Sequence, residues 1–235
     1  ILLTGSDGFV GSHLFYHLKE EHNVIGFDIK NGNDILQTKL PDDIDLVIHL
    51  AGLSGVRDSL DKPTEYWKTN VIGTQRLFEH YRDVRMIYAS SSTAHEPWKN
   101  PYAMSKYSME QIAPPNSVGM RFTTVYGPGA RETMLIPRIL RNDVPYINVN
   151  HKRDFIHVDD VISAILLLLH IIDVGTGVSN KLTDIISSVG IEAKGQIGGD
   201  NERFDNKADT SILNSFGWKS NIELFDYIKN NKVVN

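Results

Sequence analysis

Thr4-Gly5-Ser6-Asp7-Gly8-Phe9-Val10-Gly11 is the stretch on which the fold turns. An apolar strand, Ile1–Thr4, runs into it, and a helical pattern, Gly11–Glu20 with Phe15 and Leu18 on the inner side, runs out of it. Glycines at 5, 8 and 11 permit a tight turn, a close approach of backbone to phosphate, and close helix–strand packing. N–H groups at the helix start, aided by the helix dipole, then suit a dinucleotide pyrophosphate. Ordinary strand–turn–helix units also carry glycines. What separates this one is Asp28, at the tip of the next strand, Asn23–Asp28. A carboxylate there accepts from adenosine ribose hydroxyls and repels a 2′-phosphate, which favours NAD over NADP, with Lys30 the one nearby cation to soften that repulsion.

Outward from the turn, strand-like runs alternate with helical patterns, the mark of a parallel α/β sheet. Strands are expected at Asp45–Leu50, Arg85–Ala89 and Val118–Thr123, and helices at Thr64–Arg82, Pro101–Ile112 and Val161 to about Ile171. The expected fold is a Rossmann-type doubly wound parallel sheet with a small C-terminal substrate lobe. The NAD-binding core is expected over residues 1–128 plus about 156–177, and the lobe over about 129–155 and 178–235.

Tyr102-Ala103-Met104-Ser105-Lys106 puts a phenol and an ammonium one helical turn apart on one face. Tyr-x-x-x-Lys is common by chance, but here Ser90-Ser91-Ser92-Thr93 closes a strand just upstream, where ligands bind in open α/β sheets. Tyrosine ordinarily titrates near pH ~10, too high for a base at neutral pH. A lysine and a positive nicotinamide ring both stabilise the phenolate, and a serine hydroxyl can orient a substrate oxygen. The pattern points to hydride and proton exchange at a carbinol or ketone.

The 235 residues suffice for one core plus a small lobe, and 41% hydrophobic content with a net charge of −5 describes an ordinary globular surface. That acidic balance argues against nucleic acid as the main partner. With no cysteine there is no disulfide, thiolate metal site or cysteine nucleophile. His49, His95, His151 and His157 lack ligand spacing, and Asp159-Asp160 reads as a helix start, so no metal is expected. The longest apolar run, Ala164–Leu169 with its flanks, falls short of the ~20 residues a membrane span needs, and no signal-peptide pattern is present. The cytoplasm is the expected compartment.

Taken in order, the glycine turn, Asp28, His49-Leu-Ala-Gly52, Thr69-Asn-Val-Ile-Gly-Thr74, Ser90–Thr93, Tyr102 with Lys106, Val125-Tyr-Gly-Pro128 and Arg153-Asp-Phe-Ile-His-Val-Asp-Asp160 make the chain resemble an extended short-chain dehydrogenase/reductase. More narrowly, it resembles the NAD-dependent nucleotide-sugar epimerase/dehydratase family, nearest its UDP-glucose 4-epimerase branch. The resemblance implies Tyr102 as acid/base, Lys106 as its partner and Ser92 as the substrate-orienting hydroxyl, with Thr93 beside it. For the cofactor it implies Gly5, Gly8, Phe9 and Val10 at the pyrophosphate, Asp28 at the ribose, and Asp34 and Ile35 near adenine. Leu50, Ala51, Gly52, Ser54, Asn70, Ser90, Phe122 and Thr123 would border the nicotinamide half, with Tyr102 and Lys106. Substrate, a UDP-linked nucleotide-diphosphate sugar, would meet Ser92, Thr93, Thr124, Arg153 and Glu202.

The stretches from Asp28 to Asp34 and from Ser92 to Tyr102 are shorter than in the family, and Thr124 stands where its members carry asparagine. The family's late arginine ahead of an acid is not recognisable, which leaves Glu202 as the candidate for the nucleotide ribose. Dehydratases of this family carry acidic residues directly after the catalytic hydroxyl; Thr93 and Ala94 occupy those places here. The resemblance therefore implies an epimerase, with a 4-ketosugar reductase or 4,6-dehydratase as the next readings and a non-catalytic NAD(H)-sensing regulator as the reading from another class. A homodimer is implied through the helices at 64–82 and 101–113, where Tyr66, Trp67, Phe78 and Tyr107 serve either that face or the core.

Overall fold

The computed structural model describes residues 1–167 and 172–232, in two compact units: 1–121 with 165–172, and 122–164 with 173–235. The chain opens with β1 (Leu2–Thr4), α1 (Phe9–Leu18), β2 (Ile25–Phe27), β3 (Leu46–His49), α2 (Val56–Asp61) and α3 (Pro63–Tyr66). A π-helical turn (Trp67–Ile72) leads to α4 (Gly73–His80), β4 (Arg85–Ser91), α5 (Pro101–Gln111) and β5 (Ser117–Phe122). Then come β6 (Thr124–Tyr126), α6 (Leu135–Leu140), β7 (Tyr146–Asn148), β8 (Lys152–His157), α7 (Val158–Ile165) and β9 (Ile172–Val174). The last elements are β10 (Ser179–Lys181), α8 (Leu182–Ser188), β11 (Lys194–Gln196), α9 (Ser211–Ser215) and α10 (Leu224–Asn231).

Six strands form the central sheet in the order β2-β1-β3-β4-β5-β9. β1 pairs in parallel with β2 on one side (Leu3 opposite Gly26) and with β3 on the other (Leu3 opposite Ile48). The chain thus winds one way from β1 and then the other, as in a Rossmann-type doubly wound sheet. The crevice at that reversal lies at the carboxyl ends of β1 and β3, where Gly5 and Leu50-Ala51 sit. Leu2, Val47, Met86 and Tyr88 on the strands pack with Phe27, Leu77, Phe78 and Met109 into one core. Each such buried side chain contributes roughly 1.5–3 kcal/mol.

The segment between Asp28 and Asp34 makes only a short 3₁₀ turn, Ile29–Asn31, closed by Gly32 in the left-handed region (φ +87°). β2 is accordingly the sheet edge. Arg76 of α4 holds the following segment by donating to the carbonyls of Ile35 and Thr38, both at 2.8 Å. The helix expected at 64–82 is an α–π–α run, and α2 precedes it where no helix is expected. β8 is likewise unexpected, because a charged Arg153-Asp154 pair interrupts its apolar pattern. The end of the helix expected to about Ile171 lies at 168–171, outside the described residues. Residues 122–128, 156–164 and 173–177, expected with the NAD-binding core, belong to the second compact unit.

Within that unit, β10, β8 and β6 form a three-stranded sheet over a core of Tyr126, Ile139, Phe155, Ile185 and Ile228. Two buried carboxylates tie its loops. Asp154 accepts from the Thr176 N–H and hydroxyl at 2.8 Å, Gly177 N–H at 2.9 Å and Ala208 N–H at 3.0 Å. Asp160 accepts from the Ser220 hydroxyl at 2.9 Å and Asn221 N–H at 3.0 Å.

The Tyr88 hydroxyl is buried in the first core and has no hydrogen-bond partner among the described residues. Burial, and then Glu110, push its phenol upward. Tyr88→Phe removes a group that has lost its water and gained nothing, so the melting temperature is expected to hold or rise; a loss above about 1 kcal/mol would show that the hydroxyl has a partner after all.

Candidate active site

The glycine turn is built by two close contacts. Gly5 takes φ +71°, and a Cβ on it would stand 2.6 Å from Ala51 N. A Cβ on Gly11 would come within 1.9 Å of Gly5 O, so α1 can begin only because this position is bare. Gly8 caps α1 in extended conformation with no side-chain hydrogen bond and no acid in the first turn. The N–H groups of Phe9 and Val10 are therefore not consumed by a cap, an arrangement that fits a bound phosphate group.

Asp28 is 8% exposed, with one carboxylate oxygen accepting from Asp7 N–H (3.0 Å) and the other from Lys30 N–H (2.9 Å). The Lys30 ammonium donates to Asp7 O at 2.7 Å, which ties it back to the turn. Asp34 accepts from Leu36 N–H at 2.9 Å, and Ile35 is buried where a Cβ on Gly73 would touch it at 2.6 Å. Asp28 and the Asp34-Ile35 pair are each held by local contacts across the shortened link.

α5 starts at a strong signal: the Asn100 side chain accepts from Ala103 N–H at 2.8 Å, and Pro101 takes the first helical position. Tyr102, Lys106 and Glu110 then stand one turn apart in a stripe. The Lys106 ammonium is 5% exposed and donates to Ala89 O at 2.8 Å, at the carboxyl end of β4. Burial pulls its pKa down to about 8, with Glu110 opposing. A Cβ on Gly52 would lie 3.0 Å from Asn70 Oδ1 and 3.5 Å from the Lys106 Nζ, which places the ammonium beside the residues that follow β3. The Tyr102 ring meets Tyr66 edge to face at 6.0 Å, and the Tyr66 hydroxyl donates to Ser54 O at 2.9 Å. Ser92, 3% exposed, opens a 3₁₀ turn, Ser92–His95, while the Thr93 hydroxyl turns to Ser91 Oγ at 3.0 Å.

Two of the residues expected at the cofactor have side chains engaged within the protein. Ser90 donates to Glu110 at 2.5 Å, and Glu110 is gripped by both ends of the Arg121 fork at 2.8 and 2.7 Å. Asn70, fully buried in the π turn, spends its amide on Leu53 N–H (2.7 Å), Leu53 O (3.0 Å) and Ser105 Oγ (3.0 Å). Both hold the site's frame from within. Glu110 and Arg121 are unmarked by any sequence pattern except the four-residue step from Lys106 to Glu110.

In the second unit, Arg153 and Glu202 come together: one guanidinium nitrogen donates to Glu202 at 3.2 Å and to His151 Nδ1 at 3.1 Å, and the other to the Lys152 and Arg203 carbonyls at 2.8 and 2.7 Å. The Thr124 hydroxyl accepts from the Asn206 amide at 3.1 Å. Thr123 donates through its N–H and hydroxyl to Val174 O at 3.1 and 3.2 Å, and Phe122 precedes it at the end of β5.

A sequence model described as the NAD dependent epimerase/dehydratase family matches residues 1–178. Protein CapI of Staphylococcus aureus is 30% identical over 229 aligned positions, which take in 72% of this chain and 69% of that protein. The UDP-glucose 4-epimerase of Haemophilus influenzae is 28% identical, with 80% of this chain and 81% of that protein covered. Among solved structures, MoeE5 in complex with UDP-glucose and NAD matches with a TM-score of 0.87 at 27% identity, over 98% of this chain and 96% of that one.

The Lys106 geometry has a consequence for stability. Its folded pKa of about 8 lies below the ordinary 10.5, so between these values the unfolded chain holds the extra proton and stability rises with pH. Lys106→Met is expected to raise the melting temperature at pH ~7, with the gain shrinking as pH climbs from about 8 past 10; a gain independent of pH would refute the buried charge.

Proposed function

The chain belongs to the NAD dependent epimerase/dehydratase family, and on that premise we propose that it is a nucleotide-sugar 4-epimerase of the UDP-hexose type. The observation that carries this reading is the stripe on α5, with the Lys106 ammonium anchored at the end of β4 beside the Ser90–Ser92 run. Tyr102 takes the proton of the sugar hydroxyl and later returns it. Lys106 keeps the phenolate accessible near neutral pH, and the Ser92 hydroxyl orients the sugar oxygen. NAD, when bound, accepts a hydride from the sugar carbon and gives it back. Gly5, Gly8, Phe9 and Val10 hold its pyrophosphate by backbone N–H groups, and Asp28 its adenosine ribose. Leu50, Ala51, Gly52 and Ser54 provide the strand-end backbone along the nicotinamide half, and the family resemblance assigns Phe122 and Thr123 to the same half of the cofactor. Arg153 and Glu202 serve the nucleotide diphosphate and its ribose, a task suited to a forked guanidinium.

Dehydration needs a carboxylic acid next to the reacting hydroxyls. Thr93 and Ala94 cannot supply one, and the nearest acid, Glu96, pairs with Lys99 at 3.4 Å within its own turn. Oxidation and re-reduction without water loss suits these residues better. Residues 1–128 with about 156–177 serve as the NAD-binding core, and about 129–155 and 178–235 as the substrate lobe, in a cytoplasmic homodimer. Among the described residues no helix is long and apolar enough to cross a membrane. Tyr66 and Phe78 turn into the core at 3% and 5% exposure, whereas Trp67 and Tyr107 remain outside at 45% and 37%, which supports a partner face on the helices around α4 and α5.

Incubation with UDP-glucose, UDP-galactose and their N-acetyl and uronic acid relatives, followed through the anomeric signals by proton NMR, is expected to yield a C4-inverted sugar. No conversion across the panel by protein that binds NAD would favour a reductase or a silent NAD-binding protein. Tyr102→Phe is expected to bind NAD normally and to lose turnover by at least about a hundredfold, the scale of a lost acid/base group; full activity would refute its role. Asp28→Ala is expected to weaken NAD more than NADP, by about tenfold in the ratio of their dissociation constants, and an unchanged ratio would contradict the ribose contact.

A further inference from the structure

Behind the site runs a buried chain of hydrogen bonds that the proposed chemistry does not use. His49, at the end of β3, is 1% exposed. Its Nδ1 lies 2.7 Å from Thr4 Oγ1, and its Nε2 lies 2.8 Å from Thr74 Oγ1. Thr4 Oγ1 also accepts from Ala51 N–H at 3.2 Å, and Thr74 Oγ1 is 2.5 Å from Asn70 O. Thr4, Asn70 and Thr74 are all 0% exposed, so each of their polar hydrogens needs an acceptor within the protein.

Counting hydrogens sets the direction of the chain. Asn70 O can only accept, so the single hydroxyl hydrogen of Thr74 goes to it. Thr74 Oγ1 then offers His49 only lone pairs, and Nε2 must carry the ring hydrogen. Nδ1 accepts from the Thr4 hydroxyl, whose oxygen takes the Ala51 N–H. The opposite tautomer would leave the Thr4 hydrogen without an acceptor and set two lone pairs face to face at Thr74. A charged ring is excluded as well, because burial, and then the Lys106 charge, push the His49 pKa down to about 3.

At its far end the chain meets Asn70, whose side chain bonds Leu53 on one side and Ser105 on the other. Ser105 donates to Tyr102 O at 2.8 Å. We infer that His49 is a positioning residue: as the neutral Nε2–H tautomer it ties Ala51, beside the glycine turn, to the Asn70 clamp on α5, and so sets where the Tyr102–Lys106 face stands against the strand ends. The positioning role rests on the reading of Tyr102 and Lys106 as the reacting pair; the tautomer does not.

Long-range ¹⁵N–¹H spectra of the wild type, labelled at histidine and with His49 assigned from the resonances that move in Thr74→Val, are expected to show a protonated Nε2 and a bare Nδ1 from about pH 5 to pH 8. A protonated Nδ1, or a His49 that titrates in that range, overturns the inference. Thr74→Val keeps the side-chain shape and breaks the next link; it is expected to lower kcat about tenfold while KM for the UDP-sugar stays within about twofold. His49→Gln should behave alike, and the double variant hardly worse than either, since one chain cannot be broken twice. Folded Thr74→Val with full kcat, or with its loss confined to KM, overturns the positioning role while leaving the epimerase reading intact. A wild type that binds NAD and shows the expected tautomer but converts none of the UDP-sugars overturns the functional reading, and the positioning role with it.

Discussion

The first compact unit of this protein depends on one close approach of backbone to backbone. Gly11 lies over the carbonyl of Gly5, where a methyl group would come within 1.9 Å, and Gly5 itself lies against Ala51 N. This contact lets α1 begin directly above the ends of β1 and β3. The uncapped N–H groups of its first turn thus stand at the point where the sheet reverses direction. Any side chain at either glycine would lift the helix and move those groups away. Thr4, next along, takes the Ala51 N–H and hands on a hydrogen to His49, so the same contact also opens the buried chain that leads to α5.

α5 is the second fixed element, and its placement is local at one end and tertiary at the other. Asn100 and Pro101 start the helix by capping and by a preset φ. Its inner face is then tied down by buried polar groups: Ser105 to Asn70, Lys106 to Ala89 O, and Glu110 to Ser90 and Arg121. A buried ammonium is costly, and the protein keeps one here with a backbone carbonyl as its hydrogen-bond partner and a carboxylate one turn away. That cost fits a residue retained for a reason other than stability.

The glycine turn, the first strands and α5 are legible in the sequence because each carries a periodic or stereochemical signature over consecutive residues. The same holds for Asp28, whose place at a strand tip follows from the strand. Less legible are features made by residues far apart. Asn70 and Ser90 are expected at the cofactor on family resemblance, and nothing in the sequence announces the partners their side chains take, Leu53 and Ser105 for one and Glu110 for the other. Tyr66, Trp67, Phe78 and Tyr107 are equally apolar on paper, and only packing sends two inward and leaves two outside. The contact of Asn206 with Thr124 is obscured in a loop-rich segment that offers no periodicity. The π turn has no sequence code at all. It is the winding that lets Asn70 face both Leu53 and Ser105.

By itself, the sequence determined the glycine turn, the acid after the second strand, the tyrosine–lysine pair on one helix face and the membership of a family of NAD-dependent epimerases and dehydratases. These are encoded in short-range spacing, where a turn's φ, a helix's 3.6-residue period or a strand's end dictates the geometry. The tertiary structure alone decided which polar residues hold the site from behind, which tautomer His49 adopts, and which partner each buried charge takes. Those choices depend on the complete set of donors and acceptors around a buried atom. Such a set is assembled from segments as distant as Thr4, His49, Thr74 and Ser105 only once the chain has folded.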